Sequence, residues 1–174
     1  TVKDGKIVEL SLRGVSQGLI NLSRQLGEVT NRFTASSRYT KQAASVWDAP
    51  CLPDAEVLEV VVTKKTRVVR YFDIEPGVEN PGFRYSEFSG SWATVESEVA
   101  GLTPRQIKSK LALRDTPKYR VDVLLEPGDV VYISVAGPQS NFKELGGGLQ
   151  IELPRYRNEK ENLSRFPLQT IRKL

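Results

Sequence analysis

The stretch Tyr119–Ala136, YRVDVLLEPGDVVYISVA, decides the fold class. Tyr119–Leu125 alternates along its length and is rich in β-branched residues, which predicts a strand. Glu126-Pro127-Gly128-Asp129 follows, with proline and then glycine in the middle of a turn. Val130–Ala136 reads as a second strand, so the two are predicted to form a hairpin.

The same period-two pattern extends outward. Val57–Thr63 and Thr66–Asp73 are β-branched runs that read as strands. Glu75–Gly82 is a Gly/Pro-rich loop of the kind that carries function, and Phe83–Thr94 after it holds four aromatic residues. Thr103-Pro104-Arg105-Gln106 predicts a helix start: Thr103 at the N-cap, Pro104 at N1, Gln106 at N3. Ile107 and Leu111 would face inward. Gly137–Gly148 reads as a loop, Leu149–Leu153 as a strand, and Leu168–Arg172 as a last strand.

Before residue 50 the pattern differs. Val15, Leu19, Leu22, Leu26, Val29 and Phe33 recur at helical steps. Gly14, Gly18 and Gly27 weaken that helix by about 1 kcal/mol each relative to alanine. A second short helix is expected over Ser37–Val46, and Asp48–Asp54, with two prolines, reads as a linker. The expected organisation is a helical extension over 1–50 and a β-rich domain over 54–174. The fold class is α+β, with a mostly antiparallel β core and an N-terminal helical segment.

Composition narrows the chemistry. A chain of 174 residues, 39% hydrophobic and 26% charged, suits one domain with an extension. No apolar run approaches the roughly 20 residues that span a bilayer, so no membrane span is expected. The net charge of +4 suits a partner carrying phosphates and equally an ordinary surface. There is no histidine, which removes Ser-His-Asp and Cys-His chemistry and any histidine-held metal. The single cysteine, Cys51, allows no internal disulfide and no cysteine zinc site. No metal site is expected. The lack of methionine, even at position 1, raises the expectation of a piece released from a larger carrier protein.

Three segments hold candidate residues. In Leu149–Leu153, Gln150 and Glu152 share one strand face, while Leu149, Ile151 and Leu153 take the other. Gly146, Gly147 and Gly148 before them permit close approach of a loop or ligand. The plainer alternative is a half-buried strand showing polar groups to water. In Val68–Phe72, Arg70 interrupts a buried-looking run and needs an anionic partner, either an internal carboxylate such as Glu152 or a pyrophosphate. In Phe88–Thr94, the Ser89 and Ser91 hydroxyls can orient a carboxylate or a ribose. Trp92 or Tyr85 can stack on a flat ring; the plainer alternative is a turn with a core tryptophan.

The order of these segments resembles the ADP-ribosyltransferase and NAD-glycohydrolase toxin superfamily, over about residues 57–174. The resemblance rests on VVRYFD, SGSWAT, YRVDVLLEPGDVVYISVAGPQ and GGGLQIEL. Ala112-Leu113 followed by Tyr119-Arg120-Val121 is also similar to C-terminal toxin domains of contact-dependent-inhibition and Rhs-repeat proteins. The resemblance implies a split antiparallel sheet and NAD as substrate. Arg70, with Tyr71 beside it, would hold the NAD phosphates or ribose. Ser89 or Ser91 would support the nicotinamide ribose and the catalytic carboxylate. Trp92, Tyr85 or Phe83 would pack on nicotinamide or adenine. Glu152 would bind the ribose 2′-hydroxyl and stabilise the oxocarbenium-like state, and Gln150 would orient the acceptor.

This sequence departs from the family at its second motif, which reads Ser-Gly-Ser-Trp-Ala-Thr. Some NAD-glycohydrolase toxins place a glutamine at the catalytic position, so Gln150 and Glu152 both remain candidates for it. The implied biology is a polymorphic-toxin effector, secreted or delivered on a carrier and acting in the target-cell cytoplasm. It would act on a macromolecular acceptor (protein or RNA) or on water, and a cognate immunity protein would cover the Arg70–Trp92–Gln150 cleft. Two alternatives stand beside it. One is a metal-independent ribonuclease with Lys64, Lys65, Arg67, Arg155 and Arg157 as its groove; the other is a non-enzymatic binding module.

Overall fold

The computed structural model describes residues 2–3, 6–7, 10–35, 55–76, 90–138, 144–154 and 159–174. The helix expected over Ser37–Val46 lies outside them, as does the whole Asp48–Asp54 linker. A small ribbon, β1 (Val2–Lys3) with β2 (Lys6–Ile7), comes first.

The N-terminal apolar stripe forms helix α1 (Gln17–Leu26), shorter than its spacing predicts. Ser16 caps it, its Oγ accepting from the Leu19 amide, and Leu19, Leu22 and Leu26 are buried. The helix ends at Gly27, and Gly27–Thr34 is strand β3, which corrects the helical reading of Val29 and Phe33. A register shift between Val29 and Asn31 explains the misleading spacing. Before the shift Val29 packs on the main core. After it Phe33 lies on the opposite sheet face, with Val57, Trp92 and Tyr132. Gly27 sits where the next strand comes closest: a Cβ there would lie 2.0 Å from the Val61 carbonyl oxygen. Gly27→Ala is therefore expected to cost about 2 kcal/mol and to lower Tm by ~4–8 °C; thermal unfolding followed by circular dichroism checks this.

The remaining strands are β4 (Glu56–Val62), β5 (Thr66–Phe72), β6 (Trp92–Ala93), β7 (Tyr119–Leu125), β8 (Val130–Val135), β9 (Leu149–Glu152) and β10 (Arg172–Lys173). They form two antiparallel sheets, ordered β3-β4-β8-β9-β6 and β10-β7-β5. With α1, this is an α+β fold built mostly on antiparallel sheet.

The predicted hairpin is not formed. β7 pairs with β5 and β10, whereas β8 pairs with β4 and β9. The turn at Pro127-Gly128, with Gly128 at φ +93°, carries the chain from one sheet to the other. It docks on the end of β4: Gly128 N–H donates to the Val62 carbonyl and Val62 N–H to the Asp129 carbonyl, both at 2.8 Å. Arg165 of helix α4 (Glu159–Arg165) clamps Asp129 with two bonds, 2.5 and 3.0 Å. The crossing lets both strands bury a face in the same interior. Val121, Val123 and Leu125 of β7 share one core with Val131 and Ile133 of β8, Leu58 and Val60 of β4, Ile151 of β9 and Phe72 of β5. α1 and Phe166 pack against that core.

Behind the smaller sheet, Val69 and Tyr71 pack on helices α2 (Glu96–Val99) and α3 (Pro104–Lys110) through Val99 and Ile107. α3 starts with the capping box its sequence predicts, Thr103 with Gln106. The strand expected at Leu168–Arg172 is instead a 3₁₀ turn, Leu168–Thr170, followed by β10. Thr170 imposes the turn: its Oγ1 donates to the Pro167 carbonyl (2.6 Å) and accepts from the Asp122 amide (3.1 Å).

Candidate functional site

Ser91–Thr94 runs between the arginine strand and the Gln-x-Glu strand. Toward β9, Trp92 lies opposite Glu152 and Ala93 opposite Ile151, and the Leu153 amide donates to the Ser91 carbonyl at 2.7 Å. Hydrogen-bonding direction alternates along a strand, so Ser91 and Ala93 turn their backbone groups to β9 while Trp92 and Thr94 turn theirs toward β5. Thr94 uses this to exchange two 2.8 Å bonds with Val69, an isolated bridge that joins the two sheets. Two residues earlier the ladder has opened. There the Trp92 carbonyl accepts from Arg70 Nη1 at 2.9 Å.

Arg70 therefore occupies the split between the sheets. It lies on the β5 face that also carries the core residues Val68 and Phe72, and is 7% exposed. Its guanidinium rests against Gly90, where a Cβ would stand 2.1 Å from Nη2 and 2.3 Å from Cζ. Only glycine permits that approach. A planar cation thus lies against backbone between the two sheets.

On β9, Gln150 is buried, which sets aside the reading of a polar residue shown to water. It lies opposite Ser134 of β8, and its Nε2 donates to Ser134 Oγ at 3.0 Å. Glu152, half-buried, stands in the next row, opposite Trp92 on one side and Tyr132 on the other. The row continues to Glu59 of β4, which accepts from the Tyr132 hydroxyl (3.0 Å) and from Thr30 Oγ1 (2.8 Å). Tyr132 tilts against Phe33, ring centres 6.4 Å apart. Sequence reasoning missed Ser134, Tyr132 and Glu59. Tyr132 and Ser134 share one strand and Glu59 shares another with Glu56, so only the pairing register sets them beside Glu152 and Gln150.

The fold thus brings Arg70, Trp92, Gln150 and Glu152 onto neighbouring strands. Ser91 is exposed at the start of β6. Tyr71 is not brought to them: it lies on the opposite face of β5, under α2 and α3. Burial pushes its phenol above the ordinary value, against the opposing effect of Arg120, 5.8 Å from its ring. Phe83, Tyr85 and Ser89 lie outside the described residues, as do Arg155 and Arg157.

The glycines leading into β9 hold the loop down rather than freeing it to close over a ligand. Gly146 N–H donates to the Ser109 carbonyl (3.0 Å) and Gly148 N–H to that of Lys110 (2.9 Å), satisfying the end of α3. Gly147 N–H donates to the Ala136 carbonyl, and Ala136 N–H to that of Gly148, both at 2.8 Å, extending from β8. Thr94 Oγ1 donates to the Leu149 carbonyl (2.8 Å), and the Leu149 amide donates to Glu98 Oε1 (2.9 Å).

Glu144 anchors the start of this loop. It is 3% exposed and paired with Arg105, at 2.5 Å, and with Lys108. Burial pushes its carboxyl up, but hydrogen bonds from Lys108, Arg105 and Ser109 together hold it below its ordinary value. A lowered folded-state value means stability that is full above the unfolded carboxyl value, about 4.3, and lost as pH falls through the folded value. Glu144→Gln is expected to cost about 2 kcal/mol near pH 7 and to shrink the fall in Tm between pH 5 and the acid limb. Tm against pH for both proteins checks the sign.

Among the described residues no cluster of three or more cysteine, aspartate or glutamate side chains could hold a metal ion, and no helix is long and apolar enough to cross a membrane. No protein-family model, curated protein or solved structure matches this chain.

Proposed function

We propose that the chain is a toxin domain that cleaves NAD, passing ADP-ribose to a macromolecular acceptor or to water. One observation carries the reading: the arginine strand, the Ser/Trp segment and the Gln-x-Glu strand lie side by side. Arg70 bonds to the Trp92 carbonyl, and Trp92 faces Glu152 across the sheet.

The chemistry suits those residues. The bond between the ribose anomeric carbon and the nicotinamide nitrogen breaks, and its electron pair leaves with nicotinamide. Positive charge builds on the ribose, where the fixed carboxylate of Glu152 lowers its energy. The nucleophile then bonds that carbon and releases its proton to solvent. The Arg70 guanidinium suits the phosphates or ribose, and Trp92, with Ser91 beside it, suits the nicotinamide end. Nothing in this route needs histidine. A carrier protein, delivery into a target-cell cytoplasm and a cognate immunity protein over the Arg70–Trp92–Gln150 region belong to the same proposal.

The test is nicotinamide release from NAD by the purified chain, with and without cell lysate, using NAD labelled in its ADP-ribose part. Release with label on a macromolecule supports transfer, and release alone supports hydrolysis. Neither release nor labelling, with lysate present, overturns the proposal and directs the work to tRNA cleavage.

A further inference from the structure

We infer that the outer face of the smaller sheet binds the phosphates of a nucleic-acid strand, through Arg67, Arg120 and Arg172. The pairing places all three on the side opposite the core residues Val68, Val121 and Val123. Arg120 lies between Tyr71 of β5 and Arg172 of β10 in one row, and Arg67 lies two rows away, opposite Leu124. Arg120 is fixed there. Its Nη1 and Nη2 donate to Glu96 of α2 at 3.0 and 2.5 Å, and its guanidinium lies 5.8 Å from the Tyr71 ring centre. Arg67 and Arg172 are exposed. Besides Glu96, the carboxylate that meets them is the buried Asp122, which accepts from Arg67 Nη1 at 3.4 Å.

Stability alone does not account for this arrangement. Like charges directly opposite each other on paired strands are destabilising, and Arg120 and Arg172 are so placed. Glu96 offsets part of this. Its carboxyl is held below the ordinary value by hydrogen bonds from Arg120, against burial, and by the charges of Arg120, Arg67 and Arg172. Two carboxylates thus serve three guanidinium groups, and Arg172 makes no ion pair among the described residues. Exposed ion pairs contribute little to stability, whereas arginine forks fit phosphate oxygens in bidentate fashion. The backbone positions of Arg67 and Arg120 are four residue steps apart along the sheet, about 13 Å, so a run of phosphates engages the set more fully than one. Among the described residues this face shows no exposed ring on which a base could stack, since Tyr71 is buried beneath α2 and α3. Binding therefore follows the phosphates and not the base sequence.

This inference stands apart from the NAD reading, and its experiment uses no NAD. Fluorescence anisotropy of the full chain with a fluorescein-labelled single-stranded RNA, and with DNA of the same sequence, is followed as salt is raised. Arg67→Ala and Arg172→Ala are each expected to weaken binding about 5-fold at low salt and to lower the slope of log K against log salt by about 0.7. Arg24→Ala, on the exposed side of α1, removes the same net charge and leaves the slope unchanged. Glu96→Gln, which releases the arginines from a competing carboxylate, tightens binding about 3-fold. DNA bound as well as RNA assigns recognition to the phosphates alone, and a preference for RNA adds the 2′-hydroxyl. No binding of either strand, an equal loss in Arg24→Ala, or an affinity that does not rise in Glu96→Gln overturns the inference. So does polyglutamate competing as well as unlabelled RNA, which would direct this face to an acidic protein. A wild-type chain that binds RNA but releases no nicotinamide keeps this inference and removes the NAD reading.

Discussion

Glu152→Gln is expected to slow nicotinamide release by about 10²–10³-fold while leaving KM for NAD within about twofold. The substitution keeps the shape and removes the charge, so it isolates the electrostatic role. Glu152 stands between Trp92 and Tyr132 in a half-buried row. Partial burial lowers the local dielectric and makes a fixed carboxylate more effective toward developing positive charge than it would be in water. Ile151 and Leu153, on the other face of β9, pack into the core and are unchanged in this variant. Tm measured alongside the rate separates loss of the charge from loss of the fold. Gln150→Ala run in parallel decides the register of the motif. A loss in Gln150→Ala exceeding that in Glu152→Gln would move the catalytic position to Gln150.

What the sequence shows clearly is local. Strands β4, β5, β7, β8 and β9 fall within a residue of where alternation predicts them, and Thr103 with Gln106 marks the start of α3. Which strand pairs with which is not local. Pro127-Gly128 turns the chain in the same way whether the flanking strands pair or cross between sheets. The choice is made by the shared interior that Val121, Val123 and Leu125 enter with Val131 and Ile133. The shift after Val29 hides β3 in the same manner, by turning a regular strand into one with helix-like apolar spacing. Arg70 stood out because a cation in an apolar run is anomalous. Ser134 did not, because a small hydroxyl in a strand has meaning only once the register sets it against Gln150. The glycines before β9 were legible as necessary, but not for their reason.

That reason gives the largest stability effect expected here. Gly146→Ala should cost about 3 kcal/mol, from left-handed backbone strain and overpacking together. Gly146 sits at φ +71°, and a Cβ there would stand 2.3 Å from the Ala136 carbonyl oxygen and 2.8 Å from that of Gly137. Both obstacles are backbone, so no side chain can swing aside. The expected fall in Tm is ~6–12 °C for a chain of this size. Gly147→Ala separates the two contributions. It has φ +96° but nothing within 4 Å of the added carbon, so it carries the strain alone. Its expected loss is about 1–2 kcal/mol. Equal losses in the two variants would mean that the loop does not lie against β8 as described, and that the glycines serve only backbone conformation. A larger loss at Gly146, with faster amide exchange at Gly147 and Gly148, would establish the loop as a fixed support. β9 would then present Gln150 and Glu152 from a rigid frame, and any motion that admits a ligand would have to come from elsewhere in the chain.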